Sequence, residues 1–137
     1  MRVELEQHFE VGGLPQAVLR ALIYVRLPEG SVDERGFAAL QAIRAMQPAN
    51  DRMSMAELKA CLKEQYLLLR LDEERAVRTI PRLLPDSEHI RRIALDAVLQ
   101  VLGARGTLSE EGGRRLGRVE ALFGAGPSIQ PLNAANA

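Results

Sequence analysis

Three groups of side chains in this sequence have types that could do chemistry. One is Cys61 with His8 and His89, a thiol and two imidazoles, the ingredients of a nucleophile and its base. Another is Glu29, Asp33 and Glu34, closely spaced carboxylates whose oxygens suit a hard divalent cation. The last is a run of arginines: Arg75, Arg78 and Arg82 at i, i+3 and i+7, then Arg91 and Arg92 after a short loop. Guanidinium groups on one helix face can receive carboxylate or phosphate from a partner.

Each group has a plainer reading. Cys61 falls on the flank of an amphipathic helix, where a free cysteine behaves as a small hydrophobe. His8 lies in the N-terminal segment, and His89 opens a helix beside Arg91 and Arg92 with nothing to orient it. The sequence has no G-x-S-x-G elbow. Asp33 and Glu34 are acids at a helix start, where satisfying amides and the dipole outranks ligation. With Glu29 they make three carboxylates at most, without the spacing of a calcium loop. The arginines have Glu73, Glu74 and Glu88 near them in sequence, which fits a solvated, paired face. The expectation is therefore no catalytic residue and no cofactor. A divalent cation at Glu29, Asp33 and Glu34 is the weaker alternative, and the five arginines are the candidates for partner binding.

Bulk properties narrow the field. A chain of 137 residues, 47% hydrophobic and 26% charged, suits one domain with a single core. Eighteen basic residues balance eighteen acidic ones, so the broad positive field that nucleic acid selects is missing. Only Lys59 and Lys63 are lysines; the other basic residues are arginines, a uniform bias that fits a GC-rich genome better than a binding surface. A single cysteine excludes an internal disulfide and a multi-cysteine metal site, and it points to a reducing compartment. Neither a signal peptide nor a membrane span is apparent, so a cytoplasmic location is expected.

The elements that must position these groups follow from apolar spacing. Leu14, Val18, Leu22 and Val25 mark a helix ending near Leu27, because Pro28 supplies no amide and biases its predecessor away from helical geometry. Glu29-Gly30 turns the chain, and Ser31 or Asp33 caps a second helix with Phe37, Leu40, Ile43 and Met46 inward. QPANDR, residues 47–52, is a loop. Ser54-Met55-Ala56-Glu57 has the spacing of a capping box and opens a helix to Leu71, with Met55, Leu58, Leu62, Tyr66 and Leu69 on one stripe. Cys61, Leu67 and Leu68 widen that stripe, so this helix is expected at the centre. Asp72-Glu73-Glu74 opens another helix, with Ala76, Val77, Ile80, Leu83 and Leu84 inward and Pro81 dividing it. After Pro85-Asp86-Ser87, a helix from Glu88 to Gly103 turns Ile90, Ile93, Ala97, Val98 and Val101 inward. Thr107-Leu108-Ser109-Glu110 has capping-box spacing and opens the last helix, where Gly112, Gly113 and Gly117 suggest close approach of a neighbour.

An offset of 76 superposes Leu19 on Leu95, Leu22 on Val98, Gly30 on Gly106, Glu34 on Glu110 and Leu40 on Leu116. A helical hairpin is thus used twice. No stretch alternates with period two and β-branched or aromatic content. The fold class is all-α: about six helices, with two pseudo-repeated hairpins around the helix from Ser54 to Leu71. Residues 1–13 read as an N-terminal segment, a linker from an upstream domain; 14–124 are the helical domain and 125–137 a disordered tail.

The repeated hairpin, with its acid-Gly turn and acids opening the next helix, resembles the TerB-like, tellurite-resistance-associated helical domain over most of residues 14 to 123. More narrowly, ALIYVRLPEGSVDERGF and LKEQYLLLRLDEERAV resemble the C-terminal region of bacterial polyhydroxyalkanoate-synthase-like α/β-hydrolase proteins of unknown function. The TerB-like resemblance implies Asp-Gly turns with a Glu seven positions after the Asp, acids connected with divalent metal. Here the first turn keeps Glu29 but has Gly36 downstream, and the second has Arg105 and Gly112, so both acids are gone there. The hydrolase resemblance implies a nucleophile, histidine and acid in a preceding domain, which leaves this stretch a non-catalytic accessory or interaction domain. Its partners would be the upstream domain of the same polypeptide or another protein, not nucleic acid. The alternative is a free-standing TerB-like metal-responsive, tellurite-resistance-related stress protein.

Overall fold

The computed structural model describes residues 5–29, 41, 44–45, 47–103 and 108–125. Among them the secondary structure is entirely helical. Helix α1 is Leu14–Arg26, α2 Met55–Leu71, α3 Glu73–Arg78, α4 Glu88–Gly103 and α5 Glu110–Ala125, with short 3₁₀ turns at Leu27–Glu29, Ala49–Asp51 and Ile80–Leu83. The second helix of the first hairpin lies mostly outside the described residues, as do Gly30, Asp33, Glu34, Gly36, Arg105 and the tail from 126.

The central element is α1, not the helix from Ser54 to Leu71. Every residue from Ala17 to Arg26 is buried, and α1 packs against α2, α3, α4 and α5. The reason is in the sequence LPQAVLRALIYVR, apolar over most of its circumference, whose two arginines, Arg20 and Arg26, find hydrogen-bond partners inside the fold. In α2 only Leu58, Gln65, Leu68 and Leu69 are buried, because Lys59, Lys63, Glu57 and Arg70 hold the other faces in solvent. Leu67, expected in the stripe, is exposed.

Caps and breaks fall largely where the residues ask for them. Ser54 Oγ accepts from the Glu57 amide at 3.0 Å, and Glu57 Oε1 accepts from the Ser54 amide at 2.8 Å, closing the capping box. Asp72 ends α2 and also caps α3, its Oδ1 accepting from the Arg75 amide at 3.1 Å. The next stretch divides at Thr79, with α3 before it and a 3₁₀ turn after it. Pro81 sits in the first positions of that turn, where a missing amide costs nothing, and Ala76, Val77, Ile80, Leu83 and Leu84 are all buried. For α5 the capping side chain is Ser109, which accepts from the Gly112 amide at 3.0 Å.

Helix α4 is rotated from its expected orientation. Its buried row is Ala94, Val98 and Leu102, while Ile90 and Ile93 are 42% and 45% exposed. Apolar residues occupy more than half of this helix's circumference, so spacing alone does not select the face that packs. Two of the three α5 glycines also differ from expectation: a Cβ at Gly113 or Gly117 would meet nothing within 4 Å, so neither marks a close helix contact, whereas Gly112 is buried. Gly117→Ala should therefore stabilise the fold by about 0.5–1 kcal/mol, the helix-propensity difference alone, measurable as a raised urea midpoint.

The packed unit also starts earlier than residue 14. Phe9 is 1% exposed and belongs to the same core as Val18, Leu68 and Val119. Gly12, at φ +128°, makes the turn from this segment into α1 in a conformation that side chains rarely adopt. The first turn of α1 is closed by Gln16, whose Oε1 accepts from the Gly13 amide at 2.7 Å.

Register mates of the duplication meet in the core. Arg26 Nη2 donates to the carbonyl of Leu102 at 3.2 Å, and these two residues are 76 positions apart.

Candidate functional site

An open cleft of about 950 Å³ is lined by residues of α2, α3, α5 and the 3₁₀ turn that follows α1. One wall is a single stripe of α2: Lys59, Leu62, Lys63, Tyr66, Leu69 and Arg70, spaced three and four apart so that they share a face. Leu27 and Pro28, at the exit of α1, extend the apolar floor, and Glu73, Glu111 and Arg115 form the opposite wall.

The walls differ in charge state. Arg115 is bound on all sides: its Nε meets Glu111 at 3.0 Å, its Nη2 meets Glu73 at 3.3 Å, its Nη1 donates to the Tyr24 carbonyl at 3.0 Å, and its guanidinium lies 4.6 Å from the centre of the Tyr24 ring. Hydrogen bonds from Arg114 and Arg115 hold the Glu111 carboxyl below the usual carboxylate range. On the α2 wall, Arg70 Nη1 donates to Tyr66 Oη at 3.0 Å. Lys59 and Lys63 are exposed, and among the described residues neither has an ion-pair or hydrogen-bond partner. The cleft thus offers an apolar floor and two exposed ammonium groups. Sequence reasoning assigned Leu62 and Tyr66 to the core and passed over the lysines. The available signal was that the chain's two lysines flank Leu62 on one helix face.

The five candidate arginines do not act as one surface. Arg75 stacks over the Phe9 ring at 4.4 Å and donates to the Glu6 carbonyl at 3.4 Å, and Arg82 pairs with Glu10 at 3.3 Å, so both fasten the N-terminal segment. Arg91 donates to the carbonyls of Pro85 at 3.0 Å, Asp86 at 2.6 Å and Phe123 at 3.0 Å, tying the start of α4 to the end of α5. Arg92 pairs with Glu88 along its own helix at 3.3 Å. Arg78 is exposed on α3.

A further arginine, unnoticed in the sequence, has the most buried position of all. Arg20 is 0% exposed. Its Nε donates to Gln65 Oε1 at 2.8 Å, and its Nη1 is shared among the carbonyls of Phe9 and Ala76 and Thr79 Oγ1, at 2.9, 3.0 and 3.1 Å. Nη2 of Arg20 and Nε2 of Gln65 have no hydrogen-bond acceptor. Burial pushes the guanidinium down to about 10, which still leaves it charged at neutral pH. The signal that would have found it is an arginine inside a helix that is apolar over most of its circumference.

Cys61 is half-buried beside this node, and burial pushes its thiol up to about 11, with Glu64 raising it and Arg20 opposing. An activated nucleophile needs the reverse shift. The partner of His8 is Glu64, at 2.8 Å, and His89 is exposed at the start of α4, so neither imidazole is hydrogen-bonded to the sulfur. Two results should follow. Iodoacetamide should alkylate Cys61 in the folded chain on the order of a hundredfold more slowly at pH 8 than a free cysteine, from its smaller thiolate fraction. Between about pH 9 and 11 the folded chain keeps a proton that the unfolded chain has lost, so the Cys61 contribution to stability is present below this window and declines as pH rises through it.

Among the described residues no three His, Cys, Asp or Glu side chains converge as metal ligands. Glu29 ends the 3₁₀ turn after α1, while Asp33 and Glu34 lie outside the described residues. No helix among the described residues is long and apolar enough to cross a membrane.

No family model matches the chain, and no solved structure does. The chain is 42% identical over 122 residues to an uncharacterized protein in the ackA 5′ region of Rhizobium meliloti. That alignment covers 88% of this chain and 17% of the relative, so the chain spans about a sixth of the length of the protein it matches.

Proposed function

We propose that this chain is a non-catalytic helical docking module within a much larger bacterial polypeptide of the polyhydroxyalkanoate-synthase-like type. The observation that carries the reading is the relative: nearly the whole of this sequence corresponds to a minor segment of a far longer protein. The site chemistry is consistent with it. Burial disfavours the thiolate of Cys61, and the α2 cleft has an apolar floor and two exposed ammonium groups, suited to recognition, with no nucleophile and base among the described residues that line it.

The free-standing, metal-responsive TerB-like reading ranks second. Ser109 stands 76 positions after Asp33, at the same register of the second copy, and its role there is to cap a helix. That favours capping over ligation for Asp33 as well.

An immunoblot of the source bacterium with antibody raised against this chain tests the reading. A denatured band several times heavier than 15.1 kDa is expected. A band at that mass alone would overturn it.

A further inference from the structure

The geometry points to a specific occupant for the α2 cleft: an amphipathic helix with acidic flanks, contributed by a partner protein. This rests on the reading of the chain as a docking module and names the surface that docks.

Size and shape come first. A helix is ~10 Å across and rises ~1.5 Å per residue, so the cleft's volume of about 950 Å³ matches roughly two turns of helix. The α2 stripe from Lys59 to Arg70 runs ~16 Å along the helix axis at the same rise, so a partner of two to three turns lies alongside it. Leu62 and Tyr66, half-buried and one turn apart, make with Leu27 and Pro28 an apolar line for the partner's own i, i+3, i+4 and i+7 residues, over the buried Leu69. Tyr66 is the natural anchor, a rigid aromatic whose hydroxyl is already held by Arg70 at 3.0 Å.

Charge then selects the flanks. Lys59 and Lys63 project from the α2 wall without a counter-ion among the described residues, so carboxylates on the partner's near edge would complete them. The far wall carries Glu73 and Glu111, whose carboxylates already pair with Arg115. A uniformly anionic surface such as a nucleic acid backbone would face repulsion there. A peptide helix can present acid to one wall and neutral residues to the other.

The lysines also supply the test. They are the chain's two lysines, so a zero-length carbodiimide coupling carboxylate to amine reports on this cleft and on the α-amino terminus. The probe is a labelled 16-residue helical peptide with leucine at i, i+3, i+4 and i+7 and glutamate elsewhere; its control keeps the leucines and carries lysine elsewhere. Fluorescence anisotropy with the 137-residue chain should show saturable, salt-sensitive binding of the acidic peptide and at least tenfold weaker binding of the basic one. Lys59→Glu and Lys63→Glu, both exposed and each checked by thermal melting, should weaken the acidic peptide tenfold or more. Tyr66→Phe should bind nearly as well as the parent, and Tyr66→Ala should not. Carbodiimide should join peptide glutamates to Lys59 or Lys63.

Equal binding of both peptides, or binding unaffected by the two charge reversals, would overturn the proposal, as would no binding. So would crosslinks from the lysines to the chain's own Asp33 or Glu34 that the peptide fails to displace, or a lysine-dependent dimer in sedimentation. The immunoblot is independent of all these: a heavy band with no peptide binding removes the cleft assignment and leaves the module, and the opposite pair of results does the reverse.

Discussion

Arg20→Leu should lower the unfolding free energy by about 2–4 kcal/mol, read as a fall in the urea midpoint with little change in slope. Two effects oppose each other. Leucine removes a charge that is costly to bury and eliminates the unpaired Nη2. It also takes the donors from Gln65 Oε1 and from the Phe9 carbonyl, and a buried acceptor left without a donor costs roughly 1–3 kcal/mol. The carbonyl of Ala76 loses less, because the Thr79 hydroxyl, whose single proton goes chiefly to the Arg75 carbonyl at 2.7 Å, also lies within reach of it at 3.2 Å and can turn to it. Loss of the donors therefore wins. The double variant Arg20→Leu with Gln65→Leu decides whether this accounting is right: removing both partners at once should leave the chain more stable than Arg20→Leu alone. A double variant that is worse by the full sum of the two singles would show that the charge itself is the stabilising element.

Phe9→Ala should cost about 3–5 kcal/mol, as for other fully buried aromatics. The ring is 1% exposed, covered on one face by the Arg75 guanidinium, and its own carbonyl is one of the acceptors for Arg20. Loss of the ring should also make cleavage by trypsin after Arg20, Arg75 and Arg82 faster, because the segment from residue 5 to 12 covers these side chains through Phe9, Glu6 and Glu10. If residues 5–12 were an approach to the domain and no part of it, Phe9→Ala would leave both the midpoint and the proteolysis rate unchanged.

Much of this architecture was legible in the residues, for a physical reason common to the successes. Ser54 with Glu57, Asp72, Pro81 and Ser87 act through their own neighbours in sequence, so their effects are local and readable. What was not legible depended on choices between faces. Helix α1 is apolar over most of its circumference, but Arg20 and Arg26 argue against the centre until their partners in the fold are seen; α2, with its broad stripe, competes for the place until the lysines and Glu57 are seen to need water. In α4, Ile90 and Ile93 are larger than Ala94, yet the small Ala94 faces the core and lets the helix approach. The cleft was hidden for the same reason. Leu62 and Tyr66 lie at the border between the core stripe and the lysine-bearing face, and spacing alone assigns border residues to the core.

The bond between Arg26 and the Leu102 carbonyl joins equivalent positions of a sequence used twice. In a symmetric pair of separate chains such a contact would occur in duplicate, each arginine reaching the other's backbone across the axis. Here it occurs in one direction, because position 102 is leucine and has no side-chain donor to return. The two stretches are thus not interchangeable: one holds the enclosed helix with both of its buried arginines, and the other holds the half-exposed helix that shields it.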